Sequence, residues 1–359
     1  MKKVLLSDLK NGMITAEDVI SLDGQLVVPK GIALTENLIA RIFSFDIFSI
    51  RVEDEILTTN LDIPAGSEMS YAQKVKSSPE FAVFQKDFKE NVDRLEFAFN
   101  SLIEKNTEFD PTVILEETLK MINHRSSPTG IMDLMLNMQE YDDCTYAHSL
   151  NVAMICNIFA GWLHFSLKDR VLATACGLFH DIGKLKIPHE IISKPGKLTP
   201  AEFRIIKTHP LHSYKLISQF QLSDEIKNAA LMHHERCDGS GYPYGFTFDK
   251  ITRFAKLVAI ADVYEAMTSN RSYREALCPF YVITHFENDG LLKYDPGFLL
   301  TFLENVVNTF LNQKVRLSNG IEGSIIYINP IALSKPTVQV GEKFIDLKLL
   351  DNVEITSII

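Results

Sequence analysis

Apolar positions between residues 130 and about 312 recur on more than one face of successive stretches, at 149–162, 167–179, 200–220, 225–232 and 251–267. That pattern predicts a block of buried helices rather than helices lying on a surface. Thr199, Pro200 and Glu202 supply an N-cap with a proline in the first turn, which fixes one helix start. Upstream, Phe81, Phe84, Phe88, Val92, Leu95, Phe99 and Leu102 fall three or four apart, so helix is expected over much of 71–123. Pro111 interrupts that stretch, and Ser126-Ser127-Pro128 with Gly130 closes it.

The two ends of the chain read differently. Residues 1–65 carry short apolar runs at 4–6, 26–28 and 47–52, divided by Gly12, Gly24 and Gly31, with one short helix expected around 36–43. Pro64, Gly66 and Ser67 then mark a linker. From Lys314 onward, β-branched residues alternate with polar ones between turn signals at Asn319-Gly320 and Asn329-Pro330. The expected class is mainly α. An all-helical domain covers 126–312, a small mixed or β-rich domain covers 1–65, a helical linker region covers 66–125, and a short β-rich extension covers 313–359.

Composition narrows the function classes. Of 359 residues, 46% are hydrophobic and 23% charged, the balance of a folded chain with a sizeable core. With 36 basic and 46 acidic residues the formal charge is −10, which argues against nucleic acid or an anionic membrane as partner. A phosphate-bearing substrate would need a locally basic site. No apolar run reaches the roughly 18 residues of a membrane helix, since Glu304 cuts the one inside 298–311. Lys2 and Lys3 are followed by only three apolar residues, so no signal peptide is expected and the location expected is cytoplasmic. Five widely spaced cysteines without a CxxC read as buried, reduced thiols.

The candidate chemistry lies in the helical block. His180-Asp181 closes an apolar helix and is followed by Gly183 and Lys184. His148 begins an earlier helix, His209 stands within a helix before Pro210, His233-His234-Glu235 ends another, and Asp262 sits between Ala261 and Val263. Imidazoles and carboxylates in such apolar surroundings are costly unless a cation pairs with them. A metal shared among several helices would satisfy them together. The adjacent His180 and Asp181 suit a divided role, with the carboxylate bridging. A lone His-Asp or His-His pair carries little weight; the joint occurrence carries it.

Six segments follow in order: His180-Asp181-Ile182-Gly183-Lys184, Lys194-Pro195-Gly196-Lys197, His209-Pro210, a stretch from His233-His234-Glu235 to Gly241-Tyr242-Pro243, Ala261-Asp262-Val263-Tyr264, and Arg271-Ser272-Tyr273-Arg274. Over about 140–280 they resemble the HD-GYP family of cyclic di-GMP phosphodiesterases, within the HD-type metal-dependent phosphohydrolases. The resemblance implies two divalent metal ions, iron or manganese before zinc given imidazole and carboxylate ligands without thiolate. It places His148, His180, Asp181 and Asp262 around one ion, and Asp181, His209, His233 and His234 around the other. It implies hydrolysis of cyclic di-GMP to pGpG, and onward to GMP, by a water that bridges the metals, in second-messenger signalling. Lys184 would stand by the scissile phosphate, Arg271 and Arg274 would clamp phosphates, and Tyr242 would face the substrate. Glu235 and Asp238 would orient the loop shaped by Gly239, Gly241 and Pro243 and the neighbouring histidines, and a homodimer or a signalling protein would be the macromolecular partner.

Two departures matter. Part of the family holds a third metal through a glutamate where this chain has Cys144, so two ions are expected. Ser213 replaces a common glycine, with an effect expected on packing only. Cyclic GMP-AMP as substrate, and a catalytically silent cyclic-dinucleotide-binding module, stay open as alternatives. No ligand residue and not Lys184 is lost, which weighs against the silent module.

Overall fold

The computed structural model describes residues 71–103, 109–123, 145–194, 196–270, 276–350 and 352–359; of the first 56 residues it describes 2–5, 9–10, 13–20, 26–28, 49–56 and isolated positions, and between 124 and 144 only isolated ones. The linker 64–67, Cys144 and the Arg271–Arg274 segment lie outside the described residues. Of the helix expected around 36–43, Ile39 and Ile42 are described, and both are helical. The chain divides into two compact units, 71–309 and a second formed by 1–70 with 310–359.

The second unit is built from β-structure. Strands β1 (Lys2–Leu5) and β2 (Met13–Thr15) flank β5 (Ser49–Ile56) in an antiparallel sheet, and β3 (Val19–Ile20) pairs with β4 (Leu26–Val28). Val4, Met13, Val28, Leu34, Ile50 and Val52 make its core. Strands β6 (Lys314–Leu317), β7 (Glu322–Tyr327), β8 (Thr337–Val340), β9 (Lys343–Asp346) and β10 (Ile355–Ile358) form an antiparallel sheet in the order β10-β6-β7-β8-β9. β6 alternates exposed and buried residues, as its sequence alternation requires. Gly320, with φ at +82°, makes the tight connection to β7 that Asn319-Gly320 predicts.

The helical unit opens with α1 (Tyr71–Lys76), α2 (Pro79–Ile103) and α3 (Pro111–Asn123). Pro111 starts α3, and Asp110 Oδ1 accepts from Thr112 N, so the interruption is a helix boundary with its own cap. Phe99 and Phe109 pack on Phe179, which joins this hairpin to the helices that follow. α4 (Thr145–Trp162) and α5 (Leu167–Phe179) are the central pair. A 3₁₀ turn (Ile182–Lys186) and the short α6 (His189–Ile192) come next, followed by α7 (Pro200–Ile206), α8 (His209–Ile217), α9 (Asp224–Met232), α10 (Arg253–Thr268), α11 (Pro279–Lys293) and α12 (Pro296–Asn308). No helix among the described residues is long and apolar enough to cross a membrane.

One expectation is corrected here. The apolar run 200–220 is two helices, α7 and α8, and His209 opens the second instead of lying inside one long helix. Pro210 has no N–H to donate and its ring crowds the preceding turn, so the chain restarts there. Thr199 and Glu202 form the reciprocal capping box on α7.

α4 and α5 approach closely because Gly177 lacks a side chain. A Cβ there would stand 2.9 Å from Ala153 Cα, Cys156 Sγ and Val152 O. Gly177→Ala is expected to lower the unfolding midpoint in chemical denaturation despite the better helix propensity of alanine. Overpacking against backbone costs about 1–3 kcal/mol, more than the ~1 kcal/mol that propensity returns.

Candidate metal centre

Three helix ends meet at the centre of the helical unit. His180 is the C-cap of α5, His233 is the C-cap of α9, and His209 follows the end of α7. The last carbonyls of a helix have no intrahelical donor. Each imidazole takes one: His180 Nδ1 lies 2.7 Å from Gly177 O, His209 Nδ1 2.7 Å from Ile206 O, and His233 Nδ1 2.9 Å from Ala230 O. A carbonyl oxygen only accepts, so in each neutral ring Nδ1 carries the proton and Nε2 keeps its lone pair. All three Nε2 atoms turn toward Asp181.

Asp181 is 1% exposed and follows His180 directly, at the start of the 3₁₀ turn. Its two oxygens face different neighbours. Oδ2 is 3.2 Å from His148 Nε2 and 3.3 Å from His180 Nε2, whereas Oδ1 is 3.1 Å from His209 Nε2 and 3.7 Å from His233 Nε2. Two groups result, His148, His180 and Asp262 on one side, and Asp181, His209, His233 and His234 on the other, each with ligand atoms within 4.8 Å of one another.

The donor set fits metal ions. His180 Nε2 and Asp181 Oδ1 are buried without a hydrogen bond among the described residues, and His209 Nε2 faces His233 Nε2 at 3.3 Å, lone pair to lone pair. The negative ends of the helix dipoles also converge there. All donors are imidazole nitrogen or carboxylate oxygen, the set that suits divalent first-row metals.

Charges at the centre are strongly coupled. Burial opposes ionisation of His148, but Glu265, Asp181 and Asp262 outweigh it and raise its pKa to about 10. Burial, with the charges of His180 and His209, lowers His233 to about 4. His234 is also lowered, by burial and by His233 and His209. Burial works against the Asp181 carboxylate, yet Lys184 and His180 hold its pKa well below the usual range. Lys184 Nζ lies 2.5 Å from Asp181 Oδ2, set there by the 3₁₀ turn.

Two supports were not read from the sequence. Glu265, 3% exposed, takes His148 Nδ1 at 2.5 Å and accepts from Asn151 Nδ2 and Ser269 Oγ. The available signal was spacing: Glu265 is one turn after Asp262, and Asn151 is three residues after His148, hence on one helix face. Ser213 does more than pack, because its Oγ accepts from Gly183 N at 2.8 Å. A Cβ on Gly183 would stand 2.2 Å from His209 O and 2.3 Å from Ser213 N, so this glycine lets the 3₁₀ turn lie on the start of α8.

The loop after His234 is held by Glu235, whose carboxylate accepts from Tyr244 N and Phe246 N, and Asp238 accepts from Ser240. The Tyr242 ring stacks on His234 at 4.6 Å and 26°. A cleft of about 1100 Å³ opens beside the centre, lined by His148, Lys184, Lys194, Lys197, His234 and Asp262 among apolar side chains. Lys194 is paired with Glu202 at 2.7 Å. Arg271 and Arg274 fall outside the described residues.

Residues 137–297 match the family model for the HD domain. The chain is 33% identical over 217 residues to a cyclic di-GMP phosphodiesterase of Pseudomonas aeruginosa, covering 59% of this chain and 51% of that protein. It is 35% identical over 133 residues to a 3'3'-cGAMP-specific phosphodiesterase of Vibrio cholerae, covering 37% of this chain and 29% of the other. It therefore spans about half, or less, of the length of these curated relatives. A solved HDG"Y"P protein from Bdellovibrio bacteriovorus superposes with a TM-score of 0.51 at 16% identity, over 85% of this chain and 99% of that one, which speaks to the fold alone. Over residues 137–297 the chain thus resembles HD-domain proteins, and the relatives that share this segment are cyclic-dinucleotide phosphodiesterases.

Proposed function

We propose that this chain is a metal-dependent phosphodiesterase that opens cyclic di-GMP to pGpG. The observation that carries the reading is the division of Asp181, one oxygen toward His148 and His180 and the other toward His209 and His233. In this reading His148, His180 and Asp262 would hold one ion and His209, His233 and His234 another, with Asp181 offering an oxygen to each side. Iron or manganese suits that set. Divalent ions there supply Lewis-acid activation of water and of the phosphodiester.

The chain's own residues do the rest. Glu265 fixes the ring of His148, and the carbonyls of Gly177, Ile206 and Ala230 fix the other rings. Ligands held in this way need no reordering to receive an ion. Lys184, part-exposed at the cleft wall, brings a cation to the charge that develops on the phosphoryl group and steadies the leaving oxygen. Lys197 adds charge at the cleft mouth, and Arg271 and Arg274 are assigned to the substrate phosphates. Tyr242 lines the other face of His234, so its part in binding the substrate is indirect.

The second reading, hydrolysis of 3'3'-cGAMP, is favoured by the names of several relatives. The two are separated by incubating iron- or manganese-loaded protein anaerobically with each cyclic dinucleotide and resolving products by anion exchange. Release of pGpG that stops with chelator supports the first reading. Faster turnover of 3'3'-cGAMP replaces it with the second. No product from either, with metal content verified, would leave a binding module.

Three variants probe the site. Asp181→Ala is expected to lose both ions in elemental analysis together with all turnover; retained metal would contradict the bridge. Lys184→Ala should keep its metal while kcat falls about 10²–10³-fold, the scale of one lost transition-state donor. Glu265→Gln should weaken metal binding about 10–100-fold in competition with a chromogenic chelator, because the imidazole of His148 loses its charged support.

A further inference from the structure

A second cavity, of about 320 Å³, is lined by both rings of the Tyr242–His234 stack and shares Phe203 and His234 with the cleft. Its charged lining is unbalanced: Lys207, Arg236 and Lys293 face a single carboxylate, Asp289, in a chain whose net charge is −10. That carboxylate is already shared with Lys293, at 3.4 Å. Lys207 Nζ sits 4.8 Å from the Phe203 ring centre and 5.1 Å from that of Tyr242, and it forms no ion pair among the described residues. Arg236 lies over the Tyr294 ring at 4.9 Å, and its Nη1 donates to the carbonyls of His233 and Glu235. It too has no carboxylate among the described residues. Aromatic faces hold both cations in place without neutralising them.

We propose that this cavity is an anion site for a phosphate monoester. A diester carries one negative charge, whereas a monoester carries about −1.5 to −2 near pH 7 and presents three strong acceptor oxygens. That charge matches the surplus left by Lys207 and Arg236, and a guanidinium is suited to the oxygens of a phosphoryl group. The volume exceeds that of a bare phosphate and leaves room for an attached sugar. Two sources share this chemistry, free phosphate and a nucleotide terminus. The second has a particular meaning, which rests on the activity proposed above: opening a cyclic phosphodiester creates a terminal monoester that the cyclic substrate does not possess. The cavity would then distinguish product from substrate, next to a ring that stacks on a centre histidine.

Equilibrium dialysis of the metal-loaded protein against labelled inorganic phosphate, and separately against GMP, tests the site without requiring turnover. A class of binding that weakens about tenfold in Lys207→Gln and in Lys293→Gln, and persists in Lys184→Ala, is the expected result. Tenfold corresponds to roughly 1.4 kcal/mol, the scale of one charge-assisted contact. GMP displacing phosphate from that class would identify a nucleotide terminus as the ligand, and phosphate binding without GMP would assign the cavity to the free ion. Binding unaltered in both glutamine variants, or abolished only in Lys184→Ala, would overturn the proposal. Because Lys293 is a surface residue, its variant tests the site even if Lys207→Gln fails to fold. A cyclic dinucleotide that goes unhydrolysed would cost the nucleotide source its rationale and leave the anion site standing.

Discussion

One buried carboxylate organises the helical unit. Asp181 is almost wholly removed from water, and an ionised group in that position costs several kcal/mol unless its surroundings answer it. Lys184 answers it beside Oδ2, while two imidazoles face each oxygen with Nε2 and leave room for a cation to answer the rest. These partners come from α4, the end of α5, the 3₁₀ turn, the start of α8 and the end of α9. Surrounding Asp181 and assembling those elements are therefore the same event, and the two clusters that could hold a metal are built in the process.

The fold supplies this arrangement through places where the backbone comes unusually close. Gly177 lets α4 lie against α5 one turn before His180. Gly183 lets the 3₁₀ turn meet His209 and Ser213, which ties Asp181 and Lys184 to the helix that His209 opens. Gly241 is pressed on the backbone of 234–236, which keeps the loop folded back against His234. Each contact lies within three residues of a residue at the centre or holds one in place. The precision of the site is thus set by main-chain approach, with the large apolar core of Phe159, Phe179, Phe254 and Phe302 providing rigidity behind it.

Much of this was legible in the sequence, and the parts that were not share a cause. Buried helices announce themselves by apolar residues on several faces, and the histidine and aspartate positions stood out because nothing apolar should keep such company. The break at Lys207 and Thr208 was hidden because the apolar pattern runs through it; only Pro210 hinted at a restart, and a proline is equally at home in a first turn. Glu265 escaped notice because one glutamate in a helix is ordinary until its partner across space is known. Ser213 was read as packing for the same reason, since its hydrogen bond reaches 30 residues back in the chain. Pairings within one turn can be read from spacing; those between helices need the fold.

The way the imidazoles are held has a consequence for how such a protein tolerates change. For His180, His209 and His233 the bond that fixes the ring goes to a main-chain carbonyl, so it does not depend on the accepting residue's side chain, except at Gly177, where any side chain presses on α4. Sequence drift around these three positions leaves their tautomers intact as long as the helix ends stay where they are. His148 is different, because its ring depends on the side chain of Glu265. Mutational fragility at the centre is therefore uneven: the rings of His180, His209 and His233 inherit their orientation from the architecture, and that of His148 relies on a residue that a single codon change could take away.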